Sequence, residues 1–383
     1  EGEVPPLRVS YRAGTSHLGP SQSPSGATMR ILRIPILIMI ALAAACGGGE
    51  GEVEEAAVGL ADTDQSRAER LESLLSTLAA DSMEGRRTGT EGAAKAARFL
   101  AAELERYGVE PAGDDGYFQT VPMARVEIRG RERLTIASAT IDFDTISADR
   151  ILDTEVNVVG IIRGADPEVA GEAVILGAHF DHVGIGQPVD GDSIYNGADD
   201  DGSGTVAVLE IARDIIESGT APRRTIIILL STAEEMGLLG TRYYIDNPVI
   251  PMEQTVADLQ IEMIGRPDSL SGGFGKGWLT GFERTTMGDQ LSAAGSPIVA
   301  DTRLDQNFFF RSDNIAFARL GIPAHTLSSF NMHTDYHQPS DEVAMVDFGH
   351  MAALVDAAVE AVRFLADGPK PAWKEGGMEG LGN

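Results

Sequence analysis

Cysteine and basic residues are both scarce in this chain of 383 residues. Cys46 is the only cysteine, so an intramolecular disulfide and thiolate metal sites are excluded. Lysine and arginine total 30 against 58 aspartate and glutamate residues, which gives a net charge of −28. A surface of this charge repels phosphate backbones, so the composition argues against nucleic acid as a partner.

Near the N-terminus, the apolar run from Ile34 to Leu42 is too short to span a membrane, which takes about 20 apolar residues. Two arginines precede the run and small residues follow it, an order typical of a secretory signal. The Ala43–Cys46 ending resembles a bacterial lipoprotein cleavage box, although that box prefers leucine where Ala43 stands. We therefore expect a lipid on Cys46, with a plain signal peptide as the alternative.

This pattern predicts a chain with several parts and one folded domain. The protein is expected to be exported, either secreted or held at the bacterial cell envelope on its periplasmic or outer face. The membrane would be contacted only through the lipid on Cys46, and the sequence carries no signal for an oligomeric state. The predicted parts are an upstream extension (1–28), a lipoprotein-type signal peptide (29–45), a flexible acidic tether (46–63), the folded domain (64–367) and a C-terminal tail (368–383).

Short runs of valine and isoleucine alternate with helical patterns in the second half of the chain. Uninterrupted apolar strands separated by helices indicate an α/β fold, with a mostly parallel, mixed central sheet covered by helices on both faces. The residues between 119 and 150 alternate weakly and predict short antiparallel strands. The predicted central strands are 156–162, 173–178, 225–230, 256–262 and 322–327, and the predicted helices include 64–107 in two parts, 203–217, 312–320 and 346–366.

Polar clusters follow the apolar runs, at the edge where ligand sites form in such sheets. Each cluster alone has an ordinary explanation as a helix cap or a solvated turn. Together on one edge, however, the carboxylates would repel one another unless a divalent cation separates them. The clusters are His179-Phe180-Asp181-His182, the Asp199-Asp200-Asp201 run, Glu234-Glu235, Glu262, and the segment from His333 to Asp341.

Imidazole and carboxylate ligands without thiolate suit zinc, with manganese and cobalt as alternatives. Two histidines and three carboxylates exceed the needs of one tetrahedral zinc with an open position. They match two zinc ions about 3.5–4 Å apart that share a carboxylate, the arrangement used in two-metal hydrolysis.

The segments AHFDH, NGADDDGSG, STAEEMGLLG and YHQPSDE resemble the motifs of the co-catalytic two-zinc aminopeptidase family, which includes bacterial leucyl aminopeptidases, glutamate carboxypeptidase and glutaminyl cyclase relatives. The resemblance covers about residues 71–365. It implies a zinc-exopeptidase-like (phosphorylase/hydrolase-like) fold and a peptide substrate.

Carried over residue by residue, the resemblance implies that Asp181 orients His179 and that Glu234 is the general base for a water that bridges the two zinc ions. It also implies a cis peptide bond between Asp200 and Asp201. Tyr336 would assist the developing oxyanion, with ordinary packing as an equal alternative. The resemblance gives His333 no firm role, and a rim or substrate-binding position is as expected for it as a structural one. The implied metal ligands are His179, Asp200, Glu235, Glu262 and His337, with Asp200 bridging.

Two features of the sequence depart from the family. Many relatives have aspartate at the position of Glu262, and many carry a protease-associated domain where this chain has only about residues 123–155.

The expected activity is that of a metallo-exopeptidase, most simply an aminopeptidase. A carboxypeptidase stays open because Arg266, Arg303 and Arg311 are available, as does a one-zinc glutaminyl cyclase; a catalytically inactive binding protein is disfavoured by the intact ligand set. His325 and His350 are expected to be structural, and His182 has no assigned role.

Overall fold

Apolar runs rich in valine and isoleucine form the strands at the centre of the structure. The computed structural model describes residues 65–138 and 141–382. The expectations for residues 1–63, including the lipid on Cys46 and the acidic tether, lie outside the described residues. All described residues belong to one unit, Asp62–Asn383.

Helices form where apolar residues recur at three- and four-residue spacing. Ser66 and Glu69 form a reciprocal capping box at the start of the first helix, and Gly108 ends the second in a left-handed conformation. The helices are α1 (Arg67–Leu78), α2 (Glu91–Tyr107), α3 (Gly204–Glu217), α4 (Leu239–Asp246), α5 (Thr286–Ala293), α6 (Asn314–Ala318) and α7 (Phe348–Asp367).

The strands divide between one large sheet and two small antiparallel ones. They are β1 (Glu110–Pro111), β2 (Phe118–Thr120), β3 (Met123–Ile128), β4 (Arg131–Ile136), β5 (Ile151–Leu152), β6 (Val156–Ile162), β7 (Ala173–His179), β8 (Gly184–Val189), β9 (Asp192–Tyr195), β10 (Thr225–Ser231), β11 (Thr255–Ile261), β12 (Gly277–Leu279), β13 (Ile298–Ala300) and β14 (Ala324–Ser328).

The large sheet has the order β1-β6-β10-β7-β11-β14-β12-β13, and β2 also pairs with β6. Its four neighbouring strands β10, β7, β11 and β14 are parallel, whereas β6 and β12 run antiparallel to the strands beside them. The sheet is therefore mixed, as predicted. Because the four central strands are parallel, their carboxyl ends meet at one edge, and this edge is where the polar clusters lie.

Side chains that alternate along the central strands reach two different helical layers. In β7, Val174 and Leu176 pack on the face covered by α1, α2, α3 and α7. Ala173 and Ile175 pack on the opposite face, with residues of α4 and α6. Helices on both faces explain why these strands are apolar throughout.

The segment between β2 and β6 folds into a three-stranded antiparallel sheet of order β4-β3-β5. This agrees with the short antiparallel strands predicted for residues 119–150. The predicted helix 312–320 is shorter in the structure, where α6 begins at Asn314 and ends at Ala318. In the part of the chain that the structure describes, no helix is long and apolar enough to cross a membrane.

His325 lies in β14 with its side chain completely buried. Its Nδ1 lies 2.6 Å from the carbonyl oxygen of Thr280, and its Nε2 lies 2.6 Å from the hydroxyl of Thr285. A carbonyl only accepts, so Nδ1 carries the proton and Nε2 accepts from the hydroxyl. Burial lowers the pKa of His325 from 6.5 to about 4. The side chain is structural, as expected.

Because the folded protein holds His325 neutral, its stability is complete above pH 6.5 and is lost as the pH falls towards 4, by up to about 3 kcal/mol. Urea unfolding between pH 7 and pH 4.5 checks this, with the His325→Gln variant as the reference that does not titrate. The variant is expected to lose less stability than the wild type over this range. Parallel pH dependence in both proteins would contradict the assignment.

Candidate metal centre

Most of the polar clusters are placed at the sheet edge by the central strand that precedes them. His179 is the last residue of β7, and Glu262 directly follows the last residue of β11. Glu234 and Glu235 follow β10, and His337 lies in the loop after β14. The turn Ala198–Ser203, which carries Asp200, leads into α3. Strand order therefore brings together clusters that are far apart in the sequence.

The structure assembles two groups of side chains around Asp200. The first group is His179, Asp200 and Glu262, and the second is His182, Asp200, Glu235 and His337. Within each group, one possible ligand atom per residue lies within 4.8 Å of the others. All five sequence-predicted ligands are in these groups, and the second group also contains His182, to which the sequence assigned no role.

Asp200 is the residue that the two groups share. Its Oδ1 lies 3.6 Å from Nε2 of His179, and its Oδ2 lies 3.0 Å from Nε2 of His337. In the second group, Nε2 of His337 and Nδ1 of His182 each lie 3.1 Å from Oε1 of Glu235. One carboxylate thus faces both groups, as a bridging ligand must.

The donor set fits a divalent cation. Oδ2 of Asp200 and Oε2 of Glu262 are buried oxygens that make no hydrogen bond with the described residues, although Nε2 of His337 lies 3.0 Å from the first of them. Such atoms are costly unless something else satisfies them. Burial, opposed by His179 and reinforced by Asp200, raises the pKa of Glu262 to about 7. A bound zinc ion would satisfy both oxygens and remove the repulsion, since zinc accepts imidazole and carboxylate ligands.

The tautomer of His179 also suits metal binding. Its Nδ1 lies 3.2 Å from the backbone carbonyl of Asp181 and 3.8 Å from the Oδ1 of that residue. The carbonyl oxygen can only accept a hydrogen bond, so Nδ1 carries the proton and Nε2 is left to bind a cation beside Asp200. The backbone carbonyl lies closer than the carboxylate through which the sequence led us to expect this orientation.

The carboxylate of Asp181 contacts two other loops. Its Oδ1 accepts a hydrogen bond of 3.0 Å from the backbone N–H of Glu234, and its Oδ2 accepts one of 3.2 Å from the hydroxyl of Thr88. It therefore connects the loop after β7 to the loop after β10 and to the segment before α2. This connection sets the position of Glu234, which belongs to neither group.

Glu234 is itself a buried acid. Burial raises the pKa of its carboxyl well above the usual range, in spite of the nearby His179. For Glu235, burial is outweighed by the hydrogen bond with His182 and by the close imidazole of His337, and its pKa is held below the usual range. Adjacent glutamates thus have opposite proton affinities, an arrangement that separates a proton-transfer group from a ligand.

The turn that carries Asp200 is held by a buried network which the sequence did not indicate. The peptide bond between Asp200 and Asp201 is cis, as the resemblance implied. Asp341 accepts hydrogen bonds of 3.0 Å from the backbone N–H groups of Asp199 and Asp200. Asp341 in turn receives the guanidinium of Arg266 at 3.2 Å. The orientation of Asp200 therefore depends on a residue more than a hundred positions away.

Arg86 supports the other side of this turn. Its guanidinium is completely buried and donates to the carbonyl oxygens of Phe180, Asn196 and Gly197, at 2.6–2.8 Å. A single side chain thus joins the loop after β7 to the turn before α3. The only sequence signal for this role is that Arg86 lies in a glycine-punctuated loop, which is also a common setting for exposed arginines.

Left-handed backbone occurs at three non-glycine positions of the site. Ala233 precedes Glu234 with φ 56°, Met263 follows Glu262 with φ 51°, and His337 itself has φ 55°. Each such residue costs about 1 kcal/mol or more, and such positions concentrate where function fixes the backbone. They turn the chain sharply at the strand ends, so that the side chains point into the cluster.

His333 and Tyr336 occupy different parts of the site. Nε2 of His333 lies 3.0 Å from Oδ2 of Asp199, and its ring is largely buried, so it braces the Asp200 turn. The ring of Tyr336 stacks on His337 with 4.0 Å between centroids. Tyr336 also borders an open cavity beside Glu262, and His333 does not.

This cavity, which we call the aromatic cavity, has about 400 Å³ of open space, part of it continuous with solvent. Trp278 and Phe308 lie 5.1 Å apart across its wall, and Phe330 packs edge-on against Phe308. The guanidinium of Arg311 lies over the ring of Phe308. The cavity is lined by Glu262, Met263, Trp278, Thr280, Phe308, Arg311, Ser312, Thr326, Ser328, Phe330 and Tyr336.

The sheet with its rim of imidazole and carboxylate groups defines an α/β protein with a candidate metal centre of the hydrolase type. Residues 157–362, more than half of the chain, match Peptidase family M28. The chain belongs to this family, and it has the α/β fold of the zinc exopeptidases.

Three comparisons illustrate the relationship. Leucine aminopeptidase 1 from Penicillium rubens is 31% identical over 206 residues, which cover 48% of this chain and 50% of that protein. The structure of BSAP, a zinc aminopeptidase from Bacillus subtilis, is similar with a TM-score of 0.56 at 15% identity, over 79% of this chain and 96% of that one. Glutaminyl cyclase from Porphyromonas gingivalis is similar with a TM-score of 0.53 at 18% identity, over 77% and 97%.

Structural likeness at these identities establishes the fold and leaves the reaction open, because a peptidase and a cyclase share it. The chain also spans half or less of the length of the curated relatives that it matches. The activity therefore has to be argued from the site.

Proposed function

We propose that this protein is a zinc-dependent metallo-exopeptidase, and specifically an aminopeptidase that binds two zinc ions. His179, Asp200 and Glu262 would hold one ion, and Asp200, Glu235 and His337 the other. The observation that carries the proposal is the pair of side-chain groups that share Asp200. When bound, zinc supplies a Lewis acid that polarises the scissile carbonyl and makes water a nucleophile near neutral pH.

Glu234 is proposed as the general base and acid. Its raised pKa gives it a high affinity for a proton, and Asp181 fixes its backbone through a 3.0 Å hydrogen bond. In this role Glu234 takes a proton from the attacking water and delivers it to the leaving amine. Glu235, whose pKa is held low, stays ionised and serves as a ligand.

The aromatic cavity is proposed to bind the side chain of the substrate residue whose carbonyl is attacked. It begins at Glu262 and Tyr336, next to the first group, and four aromatic rings line it together with polar side chains. An apolar side chain such as leucine is the expected occupant. Burial raises the pKa of Tyr336, so its phenol keeps the proton that it would donate to the developing oxyanion.

The alternatives from the same fold differ in which substrate end they hold. A carboxypeptidase needs a cation for the terminal carboxylate. Arg266 is engaged with Asp335 and Asp341, and Arg303 with Asp268, which leaves Arg311 at the aromatic cavity for this role. A one-zinc glutaminyl cyclase would not need the full set of five ligands.

We also propose that the protein is exported and carries a lipid on Cys46, in a bacterial cell envelope. This proposal rests on the apolar run and the Ala43–Cys46 ending alone. The mature protein is expected to begin at Cys46 and to carry the added mass of a lipid, which mass spectrometry detects. A mature chain that retains residues before Cys46, or an unmodified Cys46, would contradict it.

The Glu234→Gln variant tests the proposed reaction. Zinc-loaded wild-type protein is expected to hydrolyse leucine anilide and leucyl peptides, and to leave their N-acetylated forms intact. Loss of the general base should lower kcat by about 10³-fold, while zinc content stays unchanged because Glu234 belongs to neither ligand group. The measurements are steady-state kinetics and elemental analysis of the same samples.

Glu253→Gln is the matched control, since it makes the same substitution at an exposed residue remote from the sheet edge. It should behave as the wild type. Cleavage of only the acetylated substrates would reject the aminopeptidase. Equal rates for Glu234→Gln and the wild type would reject Glu234 as the base.

A further inference from the structure

A second cavity lies between the small β4-β3-β5 sheet, the segment before α2 and the loop after β10, and it is rich in arginine. It has about 690 Å³ of open space, part of it continuous with solvent. Three arginines and one glutamate are its charged lining residues, in a chain whose net charge is −28. We call it the arginine cavity; it is lined by Arg87, Thr88, Gly89, Thr90, Arg125, Glu132, Arg133, Leu134 and Met236.

The positive charge of this cavity is only partly compensated. Arg125 faces Glu132 at 3.5 Å, and Arg87 donates to the carbonyl oxygen of Val183 at 3.3 Å. The guanidinium of Arg133 makes no hydrogen bond or ion pair with any of the described residues, whereas its backbone pairs with β3. Buried acids outside the lining include Glu155, which interacts with Arg125 and whose pKa burial raises, and Asp181, which accepts a hydrogen bond from Thr88. The excess of cations marks a site for an anion.

The arginine cavity is adjacent to the metal-binding groups. Met236, which lines it, directly follows Glu235 in the chain, so their Cα atoms are about 3.8 Å apart. Thr88, also in its lining, donates to Asp181, the residue that fixes Glu234. An anion in this cavity would therefore lie close to the proposed general base.

Sheet order places the two cavities on opposite sides of His179. The arginine cavity adjoins the loop after β10, whereas the aromatic cavity adjoins Glu262 and the residues of β14. In the sheet, β7, which ends at His179, lies between β10 and β11. A peptide whose first side chain fills the aromatic cavity would thus extend its leaving part across the metal-binding groups towards the arginines.

We propose that the arginine cavity binds a carboxylate on the leaving-group side of the scissile bond, which deepens the proposed aminopeptidase function and rests on it. The carboxylate is either the C-terminus of a short peptide or the side chain of an acidic residue after the cleaved bond. Guanidinium groups recognise carboxylates through charge-assisted hydrogen bonds. The preferred substrates are therefore short or acidic peptides with an apolar first residue.

Matched peptide pairs test this inference with zinc-loaded protein. Leu-Gly-Gly is compared with its C-terminal amide, and Leu-Asp-Gly amide with Leu-Asn-Gly amide. In at least one pair, the carboxylate-bearing peptide should have a kcat/KM about tenfold higher, the value of a charge-assisted hydrogen bond. The first pair reports a C-terminal carboxylate and the second an acidic side chain.

Two variants locate the effect. Arg87→Gln and Arg133→Gln each remove one charge from the exposed wall of the cavity, and each should bring the acid-to-amide ratio of kcat/KM towards one. Arg129→Gln is the matched control, because it removes the same charge from the turn between β3 and β4, outside the cavity lining. It should retain the wild-type ratio.

The outcomes separate this inference from the function on which it rests. If the acid-to-amide ratio of kcat/KM is one in both peptide pairs and the amides are cleaved, the inference is overturned, whereas the proposed aminopeptidase function still holds. An acid preference that survives both cavity variants would also overturn it. If no peptide in the set is cleaved, the proposed function itself fails.

Discussion

The repulsion among buried carboxylates at one sheet edge is the constraint on which the rest of this structure depends. Asp200 lies within ligand distance of both side-chain groups, and one of its buried oxygens makes no hydrogen bond with the described residues. Without a cation, burial and neighbouring charge raise the pKa of Glu262 to about 7. A bound divalent ion is coordinated by these carboxylates and so removes the repulsion among them, which allows the folded domain to keep them buried together.

Holding that arrangement in place requires support from distant parts of the chain. Arg86 and Asp341 hold the Asp200 turn from two sides. Asp181 joins Glu234 to the segment before α2. Both ligand groups therefore lie at the carboxyl ends of a parallel sheet, mostly on loops that a few buried polar side chains hold together, which is where α/β proteins place their sites.

The central strands were predictable because valine and isoleucine runs leave few alternatives: β6, β7, β10, β11 and β14 fall within a few residues of their predicted ranges. The short helices α4 and α5 and the β8–β9 hairpin were missed, since eight residues give little periodicity and β8 contains glycine and proline. The strand-end rule predicted the polar clusters, and the family resemblance implied which five of their residues are ligands; the structure places all five in the two groups. The contacts of His182 and Asp341 were not predicted, because they depend on loop conformation and on residues far away in sequence.

The central claim is that Asp200 is a ligand shared by two zinc ions. Its most direct test is the zinc content of the mature protein after equilibrium dialysis, measured by elemental analysis alongside the Asp200→Asn and Glu253→Gln variants. The account predicts two tightly bound zinc ions per chain in the wild type and in Glu253→Gln, and a reduced content in Asp200→Asn, which weakens both sites at once. A wild-type protein that retains no more than one zinc ion, or an Asp200→Asn variant that retains two, would contradict it.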